Sequence, residues 1–278
     1  MLELLPALGS LLFVGASGAA TKLAIAKAGR HKALMYSYVV MVALLWAGAF
    51  AAGITVSMPE GMWAAYAIQV VVGAGAVIAF FKAMEHGSSS VMIALSESYV
   101  LIVIGAGVLL LGESLPATDI LGSLLIIGAS ALLAFEGRNW KLEKGAAYMA
   151  LTVLGWGYYY AFLKVFVSSM GFYEATLALE SGIFALIAAY YMLRGRDVTL
   201  PPPQCRQVII MRGGIVFSSA LLYALSVSII GVALTAAIGA GSPVANAVVS
   251  RIILKERLDG YKCAAILLMA AGLALIAL

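Results

Sequence analysis

Continuous apolar segments of about 20 residues dominate this chain, separated only by short stretches of glycine, proline or charged residues. An α-helix needs about this length to cross a bilayer, whereas a membrane β-strand would alternate polar and apolar residues. Of the 278 residues, 64% are hydrophobic and 11% are charged, against about a half and a quarter in soluble domains. This composition excludes a water-soluble enzyme, a disordered chain and a nucleic-acid-binding domain. We therefore predict an all-α integral membrane protein.

The apolar segments predict ten transmembrane helices, which leave only short loops and no room for a soluble domain. Glycine, proline and charged clusters mark the ends of the spans. The predicted spans are Leu4–Ala26, Ala33–Ile54, Met62–Met84, Ser88–Leu111, Ala117–Phe135, Gly145–Val167, Phe172–Leu193, Ile209–Ile229, Val232–Leu254 and Tyr261–Leu278.

The first and sixth spans share a pattern that indicates an internal repeat. Gly15 is followed seven residues later by Lys22, and Gly157 is followed seven residues later by Lys164. The shift along the chain that superimposes the two glycines therefore superimposes the two lysines as well. Self-similarity at a fixed spacing is typical of a duplicated unit.

The segments that follow the fourth and ninth spans provide a second, independent anchor. Glu113 lies in the sequence Leu-Gly-Glu-Ser-Leu, and Glu256 lies in Leu-Lys-Glu-Arg-Leu. The spacing between the two glutamates agrees to one residue with the spacing between the two glycines, so we predict a duplication with repeats at residues 1–137 and 138–278. Five spans per repeat is an odd number, so the second repeat enters the membrane in the opposite orientation. The predicted fold is therefore a pair of inverted five-helix repeats.

The matched motifs resemble those of the drug/metabolite transporter superfamily, in its ten-helix, EamA-type branch. The resemblance rests on four short segments: Trp156-Gly157 with Lys164, Ile230–Leu234, Ser242-Pro243, and Leu254–Leu258. The first repeat departs from the family pattern, since Val14 replaces the tryptophan and Val100 replaces the proline. The resemblance implies a ten-helix secondary transporter, more often an exporter than an importer, but it does not identify the substrate.

Basic residues concentrate in the loops that follow the odd-numbered spans: Lys27, Arg30, Lys32, Arg138, Lys141, Lys144, Arg194, Arg196, Arg206, Arg212, Arg251, Lys255, Arg257 and Lys262. Positively charged loops stay in the cytoplasm. We therefore predict a multi-pass protein of a prokaryotic plasma membrane, with the odd loops in the cytoplasm and both termini outside. Relatives in the family are expected to keep both termini in the cytoplasm, so the opposite orientation stays open.

Two acidic residues lie near the middle of predicted spans. Glu97 is nine residues into its span, or about 14 Å along a helix, and Glu180 is eight residues into another. A charge at this depth costs at least about 2.5 kcal/mol, so it indicates a functional site by default. Both residues are candidates for binding a cationic group and for coupling to protons. The alternative is a structural role, in which each is protonated or paired with a buried lysine.

Aromatic and polar side chains in other spans complete a candidate substrate site. The candidate substrate-binding residues are Glu97, Trp156, Tyr159, Glu180, Tyr223 and Asn246. Aromatic rings can hold an organic cation or an aromatic group, although close packing and an interfacial aromatic belt would also explain them. Only one or two of the consecutive residues 158–160 can face one cavity, because neighbours on a helix point in different directions.

Lys22 and Lys164 lie at equivalent positions, each toward the end of its span. Snorkelling of the ammonium groups to the membrane interface explains both. The alternative is a contact with an anion or an ion pair with a membrane glutamate. Glu113 and Glu256 are predicted to cap helix ends or to join the two repeats.

No motif of an enzyme is present in the sequence. There is no glycine-rich nucleotide loop followed by Lys-Ser or Lys-Thr, no Ser/His/Asp set and no His/Cys metal cluster. We therefore predict no catalytic residue, no cofactor and no metal site.

These features favour a secondary transporter that moves an amino acid, an amine or an organic cation by alternating access, with export either coupled to protons or uncoupled. One alternative is a transporter of a phosphorylated or lipid-linked anion that uses the two lysines. Another is a membrane scaffold without transport activity. The expected partners are a small-molecule substrate, the lipid bilayer and protons, with no nucleic acid; a monomer suffices, and a dimer stays open.

The predicted orientation can be tested with a reporter fused after Leu278. If the odd loops are cytoplasmic, the carboxyl terminus is outside, and a reporter that is active only in the cytoplasm stays silent. A reporter that is active at this position would overturn the prediction.

Overall fold

The structure, a computed structural model, describes residues 2–87, 89–134, 145–253 and 260–276. Within these ranges the regular structure is α-helical, preceded by a short 3-10 turn at Leu2–Leu4. The helices are α1 Leu5–Ala28, α2 Arg30–Ala52, α3 Trp63–His86, α4 Ser89–Ser96, α5 Tyr99–Leu109, α6 Ala117–Ala134, α7 Ala146–Met170, α8 Phe172–Leu193, α9 Pro203–Ile230, α10 Val232–Gly239, α11 Ser242–Ile253 and α12 Gly260–Ile276.

Seven helical segments of the described chain are long and apolar enough to cross a membrane, judged by length and composition, and shorter apolar helices accompany them. Helices dominate because lipid offers no partner for a backbone N–H or C=O, and a helix satisfies these groups internally. The chain therefore has the character of an integral membrane protein. The count of ten crossings stays a prediction.

Two glycines make the tightest connections between long helices. Gly29 alone separates α1 from α2, and Gly171 alone separates α7 from α8. Their φ angles are 78° and 94°, in a region that residues with a Cβ rarely adopt. The spacing between these two glycines equals the spacing between Gly15 and Gly157, so the same turn chemistry recurs in the second predicted repeat.

The fourth and ninth predicted spans, Ser88–Leu111 and Val232–Leu254, each contain a break in the helix that the sequence did not predict, although Val232–Ile252 as a whole is long and apolar enough to cross a membrane. The first is divided between α4 and α5 at residues 97–98, and the second between α10 and α11 at residues 240–241. Near both breaks the backbone bonds shorten to the i−3 pattern, from Ser98 N to Leu95 O and from Gly241 N to Ile238 O. Apolar continuity does not reveal such a local change in hydrogen bonding.

The eighth span also begins earlier than predicted. Helix α9 starts at Pro203 instead of Ile209, because a proline is well suited to the first turn of a helix. Arg212 consequently lies well inside α9, where it is buried. Its assignment to the loop charges is therefore wrong. Several other predictions lie outside the described residues: Leu254–Leu258 with Lys255, Glu256 and Arg257, and the loop charges Arg138, Lys141 and Lys144.

Helices at equivalent positions in the two predicted repeats pack in equivalent pairs. α1 packs against α9 and α11, while α7 packs against α3 and α5. Gly15 lies against Ala245, and a Cβ on Gly157 would be 2.6 Å from Cδ1 of Ile102. Ile102 and Ala245 are themselves separated by the same spacing as Glu113 and Glu256. These pairs agree with a duplicated unit, and the inverted orientation stays a prediction.

Gly157→Ala should destabilise the protein by about 1–3 kcal/mol, because the added methyl group would overlap the Ile102 side chain. The measurement is the thermal unfolding midpoint in detergent. Gly75→Ala is the matched control, since a Cβ at this exposed helical glycine meets open space. Equal midpoints for the two variants would contradict the close approach of α7 and α5.

Candidate functional site

A cavity of about 100 Å³ lies where α1, α2, α3, α7, α8 and α9 surround the break between α4 and α5. This volume is several times what one water molecule requires. The lining combines aromatic rings with three ionisable side chains of opposite charge: Glu97, Glu180 and Arg212. A space of this kind, apolar with a few convergent polar groups, is typical of a small-molecule site.

Glu97 lies at the break between α4 and α5, and only 4% of its surface is exposed. Its Oε1 atom accepts a hydrogen bond of 2.6 Å from the hydroxyl of Ser242, which begins α11 at the other break. Its Oε2 atom has no hydrogen-bond partner among the described residues. The contact joins the two interrupted helices and leaves one carboxylate oxygen available.

Glu180 reaches the same cavity from α8. The hydroxyl of Tyr159 donates a hydrogen bond of 3.1 Å to its Oε1 atom, while Oε2 is unpartnered within the described chain. Tyr38 lies beside this carboxylate and lines the cavity as well. The structure therefore brings together two acidic residues whose relative position the sequence did not reveal.

One face of α7 supplies three of the aromatic rings in the cavity wall. Trp156, Tyr159 and Tyr160 line the cavity, as the i, i+3, i+4 spacing allows, whereas the Tyr158 ring packs against another residue of its helix, Phe162. Two of the three consecutive tyrosines thus face the cavity. Tyr160 was missed among the candidates, although its spacing from Trp156 was a usable signal.

The wall continues onto neighbouring helices. The ring of Tyr160 lies 4.6 Å from that of Tyr223 on α9, between centroids, and the ring of Trp156 lies 4.8 Å from that of Phe80 on α3. Tyr223 is 5% exposed and lines the cavity. These rings line the same cavity as the two carboxylates, and the face of an aromatic ring attracts cations.

Asn246 lies apart from the cavity lining. It is fully buried in α11, where Ser89 of α4 donates a weak hydrogen bond of 3.4 Å to its Oδ1 atom. Its side chain also approaches Gly18 of α1. The structure thus places Asn246 in the contact between three helices.

Lys22 and Lys164 lie outside the cavity lining and bind groups of the protein. The ammonium group of Lys22 donates hydrogen bonds of 2.7 Å to the carbonyls of Met84 and Gly87, at the end of α3. The ammonium group of Lys164 forms an ion pair of 2.5 Å with Glu113. The predicted ion-pair alternative therefore describes Lys164, although its partner lies in the turn after α5.

Glu113 also caps the beginning of α10. It accepts hydrogen bonds of 2.9 Å and 2.7 Å from the backbone N–H groups of Val232 and Ala233. Burial acts to raise the pKa of Glu113, but the hydrogen bonds from Lys164 and the two N–H groups outweigh burial and hold it below its usual range. The predicted roles of Glu113, as a cap and a contact between repeats, are both present in its geometry.

Arg212 is the ionisable cavity residue that the sequence interpretation missed. Its basic charge and its proximity to Arg206 favoured assignment to a loop, yet it is 4% exposed and lines the cavity. Its position just inside the predicted span starting at Ile209 was the available signal. A buried ionisable residue in a membrane helix indicates function by default.

The amino-acid sequence of this chain is related to that of a known protein family. The model of the EamA-like transporter family matches twice, at residues 1–135 and 143–278. The chain belongs to the EamA-like transporter family. These two copies span nearly the whole EamA-family chain, so membership indicates a membrane transporter rather than an enzyme.

A solved crystal structure supports the fold of this EamA-family protein. It superimposes with a TM-score of 0.74 over 97% of this chain and 98% of that chain, at 17% sequence identity. At this identity the similarity concerns the fold alone. No curated protein is significantly similar in sequence.

Replacing Glu113 with alanine should destabilise this EamA-family protein by about 1–3 kcal/mol, because two N–H groups of α10 and Lys164 would lose their partner. Since the pKa of the folded state is lowered, the stabilisation is fully present above the ordinary value of 4.5 and is lost as pH falls below it. Thermal unfolding of wild type and Glu113→Ala between neutral pH and pH 3 measures both effects.

Glu60→Gln is the control for the acidic range, since Glu60 is exposed in the loop between α2 and α3. It should follow the wild type throughout. A difference between wild type and Glu113→Ala that persists undiminished at the lowest pH would contradict the role assigned to the carboxylate.

Proposed function

We propose that this EamA-family protein is a secondary transporter that moves a small metabolite across a prokaryotic plasma membrane by alternating access. The observation that carries the proposal is the cavity beside the break between α4 and α5, whose wall contains Glu97 and Glu180, each with one carboxylate oxygen that lacks a hydrogen-bond partner among the described residues. Glu97 also joins this break to the second interrupted helix through Ser242. Interrupted helices that meet at a repeat interface are a recurring feature of secondary transporter sites.

The lining favours a substrate with a cationic group: an amino acid, an amine or an organic cation. Glu97 and Glu180 offer negative charge, and Trp156, Tyr159 and Tyr223 offer ring faces that attract a positive group. A cation in this cavity would supply the partner that one oxygen of each carboxylate lacks. Asn246 would act through packing, because it lies outside the lining.

The paired helix contacts support an inverted repeat that rocks about this site. α1 on α9 and α7 on α3 are equivalent contacts, and each repeat contains one interrupted helix, the two being joined by the hydrogen bond from Ser242 to Glu97. Small residues such as Gly15 and Gly157 bring these helices into close contact. Rocking of one set of helices against the other would expose the site to each side in turn.

Proton antiport fits the two carboxylates, and the direction proposed is export. A proton and a cationic substrate would compete for the same carboxylate oxygens, which couples their movements. The driving force would come from the ion gradient, at about 2.3 kcal/mol per charge per 100 mV.

The ion pairs between loops agree with the prediction that the odd loops share one side of the membrane. Arg30, at the start of α2, pairs with Glu85 at the end of α3, and Lys32 lies 2.9 Å from Asp197 in the loop after α8. Charged segments after the first, third and seventh predicted spans thus lie together, as loops on one side of a membrane must. These contacts do not involve Arg212, which lies inside α9 and not in a loop.

The alternative of an anionic phosphorylated or lipid-linked solute receives less support. Lys22 and Lys164 lie outside the cavity lining, and protein carbonyls and a carboxylate already bind them. A scaffold would gain nothing from buried carboxylates with unpartnered atoms, which cost stability.

Flux into proteoliposomes under an imposed pH gradient tests the proposal, with a panel of amino acids, amines and quaternary cations. Wild type should move at least one of these classes in a pH-dependent way. Glu97→Gln and Glu180→Gln preserve shape but remove the titrating group, and at least one should abolish the pH dependence of flux while the protein stays folded.

The control is Glu60→Gln, which removes an exposed carboxylate far from the cavity and should leave flux unchanged. Full pH-coupled flux in both cavity variants would exclude these carboxylates from coupling. A folded wild-type protein that moves nothing in the panel would overturn the proposed substrate class.

A further inference from the structure

Arg212 is held rigidly in the cavity wall. Its Nε atom donates a hydrogen bond of 2.9 Å to the hydroxyl of Thr21 on α1, and its guanidinium lies 4.4 Å from the centre of the Phe81 ring. Thr21 and Phe81 are fully buried, so both supports are fixed by packing. The guanidinium plane therefore has a defined orientation before any solute arrives.

This buried cation has no counter-charge among the residues that the structure describes. No carboxylate of the described residues forms an ion pair with Arg212, and its Nη1 atom has no hydrogen-bond partner there. A charge at 4% exposure is costly unless it is paired. An arginine fork matches the geometry of a carboxylate, to which it can donate two parallel hydrogen bonds.

The equivalent positions of the other repeat indicate that the fold itself does not need these charges. Gln69 corresponds to Arg212 at the spacing that separates Glu113 from Glu256. It is also buried, but it is neutral and donates a hydrogen bond of 2.6 Å to the carbonyl of Tyr159. Tyr38, which is neutral too, corresponds to Glu180 at the spacing that separates the glycines of the first and sixth spans. The same arrangement of helices thus accommodates neutral side chains in the first repeat and two opposite charges in the second.

We propose that Arg212 binds the carboxylate of the transported solute while Glu180 binds its ammonium group, so that the site takes a zwitterion of the α-amino-acid type. This inference rests on the proposed function and narrows its substrate class. Arg212, Glu180 and Tyr38 all line the same small cavity, so the two opposite charges are presented to one solute-sized space.

The balance of charges favours a zwitterion over a simple ion. A free anion at Arg212 would face the carboxylates of Glu97 and Glu180 in the same small cavity. A simple amine would satisfy a carboxylate but would leave the buried guanidinium unpaired. A zwitterion offers a partner to both signs and adds no net charge to a membrane-embedded site.

The test compares solutes that differ only in the carboxylate: leucine with 3-methylbutylamine, and phenylalanine with 2-phenylethylamine. Initial rates of proteoliposome uptake are measured over a range of concentrations for each. Wild type should prefer at least one amino acid over its amine. Arg212→Met should reduce kcat/KM for that amino acid roughly 10- to 100-fold, the value of a charge-assisted hydrogen bond, and change the amine by less than about threefold.

Two further variants keep the test independent of folding. Thr21→Val preserves the shape of the side chain and leaves the Arg212 guanidinium in place, but it removes the hydrogen bond between the two residues. It should therefore weaken amino-acid uptake less than Arg212→Met does, and it should leave amine uptake unchanged. Arg206→Met is the matched control on the same helix, because Arg206 is exposed and should leave both uptakes unchanged. Size-exclusion profiles and unfolding midpoints establish that each variant is folded.

The outcomes separate this inference from the proposed function. Equal uptake of amino acid and amine by wild type would overturn the zwitterion assignment and leave a transporter of amines in place. An equal loss of both uptakes in folded Thr21→Val or Arg212→Met would do the same. A folded wild type that moves none of the four solutes, and none of the wider panel, would overturn the proposed function together with the inference.

Discussion

The hydrogen bond between Ser242 and Glu97 lies at the contact of the two interrupted helices, and the surrounding architecture follows from what those interruptions require. In a bilayer, irregular backbone and buried charge are tolerated only where protein or a water-filled space supplies partners. Both breaks therefore have to face the interior of the helix assembly. The helices α1 to α3 and α7 to α9 surround the break between α4 and α5 and form the wall of a polar cavity.

Membership of the EamA-like transporter family, matched over two copies, explains why the contacts occur in pairs. Positions that govern close helix approach, Gly15 and Gly157, are alike in both copies. The charged cavity positions are not alike in the two copies, since Glu180 and Arg212 line the cavity and correspond, at spacings that differ by one residue, to the neutral Tyr38 and Gln69. Packing tolerates little change in a crowded contact, whereas a cavity tolerates side chains of different charge if a partner is supplied.

Glu97 and Glu180 were identified as candidates by their depth in apolar spans, because a charge is costly inside a membrane and is seldom found there without a function. The structure places both residues in one cavity. The same criterion should have identified Arg212, but the neighbouring basic residues and the late predicted start of α9 concealed it. The interruptions were missed for a different reason: three-residue backbone bonds leave hydropathy unchanged. Asn246 shows the converse case, a polar residue inside a span whose side chain lies in a helix contact.

The sequence by itself determined that the chain forms membrane helices and that it contains a duplication. Both follow from local patterns, since apolar runs of spanning length must form helices in lipid and a repeated motif keeps its spacing. Only the tertiary structure decided which polar groups meet: Glu97 with Ser242 from the other half of the chain, Lys164 with Glu113, and Arg212 with the cavity. The physical reason is that the sequence of a helix that is apolar on most of its surface does not indicate which face packs against its neighbours. Those partnerships arise only when helices from both halves of the chain pack together.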